Sequence, residues 1–117
     1  MFLDQNNKYL DPSASSSSFL NDAKALLEQH GSLTEAALLL EAAIQKGDLG
    51  EGGYEAWILL GETRNMDERE EAGMRALMQG VKIAEEAGAP GVGMLVRRIS
   101  FTLNNFLSLQ VVSYIIH

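Results

Sequence analysis

The chain contains no cysteine. That single absence removes disulfide frameworks, thiolate metal sites and thiol nucleophiles, and it suits a reducing compartment without requiring one. Basic residues are scarce as well: nine Lys and Arg stand against sixteen Asp and Glu, giving a net charge of -7. Such a balance repels phosphate backbones and anionic bilayers, so nucleic acid is not an expected partner. With only two histidines, His30 and His117, and no cysteine, neither a metal nor a cofactor is expected. The amino terminus "MFLDQNNKYL" lacks a charged leader followed by an apolar run, so no secretory signal is read there and the default location is cytoplasmic. The longest uncharged tract, Ile99 to Ile116, is interrupted by Ser100, Thr102, Asn104, Asn105, Ser108, Gln110 and Ser113. A spanning helix needs about 20 mostly apolar residues, so no membrane span is expected.

What is present points to helices. At 117 residues the chain makes one domain, and 46% hydrophobic content argues against disorder over most of its length. The run "SASSSS" from Ser13 to Ser18 reads as a linker rather than a phosphorylation site. Phe19, Leu20, Ala23, Leu26 and Leu27 then follow the period of an amphipathic helix ending near Gly31. Ser32 with Glu35 forms a capping box for a second helix carrying Ala36, Leu39, Leu40, Ala43 and Ile44 on one stripe and closing at Gly47. So short a connection makes the two helices antiparallel neighbours. The glycine-rich "GDLGEGG" is a loop; Tyr54 and Glu55 follow where a phosphate-binding loop needs Lys and Ser or Thr. A third helix is expected from Tyr54 to Asn65 and a fourth from Glu68 to Ala87 with Asp67 as its cap, and Pro90 is placed to open a fifth.

Helix pairs joined by tight turns call for a repeat search. Laying Leu20 on Trp57, an offset of 37 residues, puts Ala36 on Gly73, Leu40 on Leu77 and Ala43 on Gly80. Small residues at these places are what closely crossing helices require. A glycine inside a helix costs about 1 kcal/mol against alanine, so Gly61 in "EAWILLGETRN" needs such a reason.

Trp57, Leu60 and Gly61, with small and large apolar residues in the partner helix, resemble the tetratricopeptide signature, whose common period is about 34 residues. Arg64 stands where an aromatic residue is common. The wording "LTEAALLLEAAIQK", then "EAWILLGETRNMDEREEAGMRAL", then "ISFT" further resembles the start of the repeat domain in the family of import receptors for proteins carrying a C-terminal Ser-Lys-Leu-type peroxisomal signal. The resemblance covers Phe19 to Thr102. It implies an all-α, tetratricopeptide-like short solenoid of about two and a half repeats, with a polar leader at 1–18, repeats over 19–46, 54–87 and 90–102, and a divergent apolar tail at 103–117. It also implies a cytoplasmic receptor, able to associate with the peroxisomal membrane, that binds cargo signals or docking proteins and catalyses nothing. Family asparagines that hold the peptide map here onto Asp67, with Thr63 and Asn65 on the same helix end, while Asn104 is a shifted substitute after "SFT". These four are the candidate peptide-binding residues. Asp67 accepts hydrogen bonds without donating them, and its charge would repel a carboxylate.

The third copy places Arg97 and Arg98 where Leu60 and Gly61 pack, and after Leu103 the likeness ends. Unpaired guanidinium groups at a close contact would cost several kcal/mol. The expected state is therefore a truncated receptor form with weak or no cargo binding of its own, prone to self-association through an uncharged tail whose residues favour helix and strand alike. The alternative is a generic tetratricopeptide adaptor. A carboxylate clamp would need several convergent cations, and Lys24 is well placed alone. The acidic clusters at Glu68, Glu70, Glu71, Glu85 and Glu86 read as a solvated face, Arg69 and Arg75 as their helical partners, and Met66, Met74, Met78 and Met94 as core rather than a pliant binding surface.

Overall fold

The computed structural model describes residues 15–49, 53–97 and 99–100. Four helices follow in order: α1 (Ser16–Glu28), α2 (Leu33–Lys46), α3 (Gly53–Met66) and α4 (Glu70–Glu86). A further helical segment covers 92–97 and 99–100. The architecture is all-α and tetratricopeptide-like. α1 packs on α2 and α3 on α4, and the α2·α3 contact joins the two pairs.

The predicted helices are present, with differences at their ends. α1 starts inside the serine run: Ser15 is the N-cap, its hydroxyl accepting from the Ser18 N–H, so Ser16–Ser18 are helix rather than linker. Ser32 caps α2 by accepting from the Glu35 N–H at 3.1 Å, and Gly47 ends it in the left-handed conformation at φ 72°. α4 corrects the sequence reading. It begins at Glu70 behind Arg69, with no side-chain cap from Asp67. The reason is the end of α3, where the Arg69 N–H bonds to Arg64 O and the Glu68 N–H to Asn65 O. That pair of hydrogen bonds is a Schellman turn, which uses up the residues an earlier α4 would need. Pro90 does not open the next helix either; Gly91 at φ 80° follows it and helical geometry starts at 92.

Two apolar clusters form the core. The first gathers Phe19, Leu20, Ala23, Leu39, Leu40, Ala43, Ala56 and Leu60, with Trp57 half-buried against it. The second joins Ile58, Met74, Leu77 and Ile99. α3 divides them, offering Leu60 to one and Ile58 to the other. Its glycine is explained by the crossing with α4: a Cβ on Gly61 would stand 2.7 Å from Gly73 O and 2.6 Å from Leu77 Cγ, and one on Gly73 would stand 2.7 Å from Gly61 O. The two backbones touch where any side chain would separate them. Gly80 lies equally close to Ile58.

Met74 is buried, but Met66, Met78 and Met94 are exposed, against the expectation that all four line the core. Met66 is the last residue of α3, Met78 lies in the middle of α4, and Met94, in the segment that starts at 92, lines a groove. Arg97 is exposed and so avoids the close contact expected for it. The side chain of Arg98 and the tail 103–117 lie outside the described residues.

Candidate functional site

The side-by-side arrangement of α1, α3 and the segment from 92 creates a groove of about 490 Å³. Its walls repeat: Tyr54, Glu55 and Ile58 of α3 line it together with Gly91, Val92 and Leu95, each 37 residues later. Lys24 of α1 closes one edge by an ion pair to Glu55, Nζ to Oε1 at 2.9 Å. Both side chains are well exposed, so the pair contributes about 0.2–1 kcal/mol and orders the rim more than it stabilises the fold. Lys24 is thereby engaged, which weakens its candidacy as a lone carboxylate clamp. Sequence reasoning overlooked this groove. Its signal was the repeat offset itself, which assigns the same helix face of α3 and of 92–95 to a common surface.

Three of the four predicted peptide-binding residues, Thr63, Asn65 and Asp67, lie at or just past the other end of α3. Thr63 is 0% exposed, so its side chain reaches no ligand from solvent; it belongs to the helix packing and leaves the candidate set. Its Oγ1 has no hydrogen-bond partner among the described residues. Asn65 is half-buried beside Gly73, and Asp67 is exposed in the turn, its N–H donating to Thr63 O at 3.1 Å. Asn104 lies outside the described residues. From Tyr54 to Asn65 is eleven helical steps, about 16 Å at 1.5 Å each. The groove and the polar end of α3 are thus two features on one helix.

Arg64 occupies the expected aromatic position and bridges the two pairs instead of filling a core. Its Nη2 lies 2.6 Å from Glu41 Oε2 of α2, and Nη1 donates to Ala72 O at 3.4 Å. The contact ties the first pair to the second. Elsewhere, Arg75 pairs with Glu71 at helical spacing, as the sequence suggests. Among the described residues no group of three or more His, Asp or Glu is placed to hold a metal ion, and no helix is long and apolar enough to cross a membrane.

Comparison with known proteins gives this geometry a relative. Over 82 residues, 70% of the chain, it is 38% identical to the peroxisomal targeting signal receptor of Debaryomyces hansenii, and over 61 residues, 52% of the chain, 41% identical to the protein of that name from Candida albicans. A segment of this chain is homologous to peroxisomal targeting signal receptors. The likeness is to a part of those receptors, for it spans 13% and 10% of their lengths. No protein-family model matches the chain, and no solved structure does. The receptor relationship accords with paired helices built around close glycine crossings, and it attaches to proteins named for recognition rather than for turnover.

Proposed function

We propose that this chain is a protein-recognition module of the peroxisomal import receptor type, a partial form of the receptor's repeat domain that binds C-terminal Ser-Lys-Leu-type signals weakly or not at all by itself. The observation that carries the reading is the homology to a receptor of that name over 82 residues, 70% of the chain. The groove supports it, because stacked helix pairs recognise peptides on the face formed by their first helices, and here that face is short. Asn65 and Asp67, with Asn104, remain the candidate peptide contacts. Asn65 supplies both donors and an acceptor, whereas the carboxylate of Asp67 opposes a peptide's terminal charge. Two complete pairs present only part of such a surface, and stacks of this type need about three repeats for stability.

The test is fluorescence polarisation with a peptide ending in Ser-Lys-Leu and its C-terminally amidated twin. The expected dissociation constant is weaker than about 10 µM, equivalent to about 7 kcal/mol of binding. Submicromolar binding that disappears on amidation would instead show a complete carboxylate site in this chain. The protein acts in the cytoplasm and meets the peroxisomal membrane through docking proteins on this reading. A second copy is a further partner: light scattering across a concentration series is expected to show dimers or larger species, and a constant monomer mass excludes them. The generic adaptor reading gains no specific observation, since Lys24 already pairs with Glu55.

A further inference from the structure

We propose that Met94 is an oxidation site, where a hydroperoxide converts the thioether to the sulfoxide and so changes the wall of the groove. The argument begins with the missing cysteine. With no thiolate to react first, the methionine sulfurs are the chain's readily and reversibly oxidised side-chain atoms. Their settings differ sharply. Met94 is 73% exposed and Met66 and Met78 are each 56%, whereas Met74 is 8% exposed and packed with Ile58, Leu77 and Ile99. Of these four, Met94 is the one that lines this groove, together with Val92, Leu95, Tyr54 and Ile58.

The step is a two-electron transfer. The sulfur attacks the nearer peroxide oxygen, the O–O bond breaks, that oxygen stays as the sulfoxide, and the other leaves as water or an alcohol after taking a proton. The thioether is oxidised and the peroxide is reduced. The product replaces a flexible apolar side chain with a polar hydrogen-bond acceptor. At Met94 the fold accommodates it, because the side chain is solvated on most of its surface. At Met74, only 8% exposed, the same oxygen would press on a packed cluster, so reaction there is slower.

The test treats the full chain, labelled with ¹³C at the methionine methyls and at those of Val and Leu, with hydrogen peroxide. NMR and peptide mapping by mass spectrometry follow the reaction. Met94 sulfoxide is expected at least tenfold faster than Met74 sulfoxide, with helix content unchanged and the Val92 and Leu95 methyl signals shifted. In Met94→Leu those shifts should vanish while Met66 and Met78 still react. Oxidation of Met94 at the rate of Met74, loss of helix as Met94 reacts, or groove shifts that persist in Met94→Leu would each overturn the proposal. None of these outcomes depends on signal-peptide binding, so the receptor reading can fail independently.

Discussion

Two helix ends carry a cost that single residues set. His30 closes α1 and Glu68 closes α3 at φ 55° and 63°, each in a Schellman turn whose C′ position normally holds glycine. A side chain in this region costs about 1–2 kcal/mol through the clash of Cβ with the backbone. Glycine relieves the clash but widens the unfolded ensemble, so part of the gain is lost. His30→Gly and Glu68→Gly are each expected to raise stability by about 0.5–1 kcal/mol, read as a higher urea midpoint; a lower midpoint for both would contradict the turn geometry. Neither position was legible beforehand, because the sequence offered Gly31 and Asp67 as the punctuating residues and the chain uses their neighbours. The candidate site shows the same limit. Thr63 and Asn65 lie two residues apart on one helix, and which of them meets solvent depends on the angle at which α3 lies against its neighbours. Local periodicity does not supply that angle.

Elements were far more legible than residues. Apolar periodicity located α1 and α2, glycine punctuation and turn residues bracketed α3 and α4, and the 37-residue offset anticipated the small residues at the α3·α4 crossing. Gly61→Ala and Gly73→Ala should each cost more than about 2 kcal/mol, because the added methyl meets backbone oxygen at 2.7 Å and a backbone cannot turn aside. Gly53→Ala is the control: nothing lies within 4 Å of its Cβ position, and alanine's helix preference makes it neutral or stabilising. Equal losses at all three sites, measured by thermal unfolding, would sink the close-crossing account. The contact between the start of α1 and the end of α2 was invisible in the sequence. There the Ser16 hydroxyl and then its N–H, 3.2 Å from Asp48 Oδ1, hold the Asp48 carboxyl below the usual carboxylate range. The hydroxyl has one proton, which it donates to Ala43 O at 2.8 Å, so toward Asp48 the backbone N–H is the donor that the geometry secures. A folded pKa below the unfolded value means that the stabilisation is complete above about pH 4 and fades as pH falls through the lower folded value. Asp48→Asn should therefore lower the urea midpoint at pH 6 and approach the parent chain as pH falls through the lowered folded value, while a gap that stays constant as the pH is lowered would assign the loss to shape rather than charge.

At the scale of the whole molecule the question is whether two helix pairs behave as one. Solenoid repeats are stabilised by their own packing and by the interface with the next repeat, and a weak interface lets them melt separately. Here the interface is strong for its size. The first core takes Ala56 and Leu60 from α3 alongside Leu39, Leu40 and Ala43 from α2, and Arg64 reaches across to Glu41 at its polar edge. α3 cannot leave the first cluster without also withdrawing Ile58 from the second. Trp57, the chain's single tryptophan, packs from α3 against the first cluster and reports on it directly. Tryptophan fluorescence and far-ultraviolet circular dichroism should give coincident urea transitions, the signature of one cooperative unit. Leu77→Ala in the second cluster is expected to cost about 2–5 kcal/mol and to move both transitions together. If fluorescence were to hold its midpoint while part of the helical signal melted earlier, the pairs would be independent. The first pair and α3 would then form the stable body, with α4 and the helical segment at 92–97 docking onto it separately.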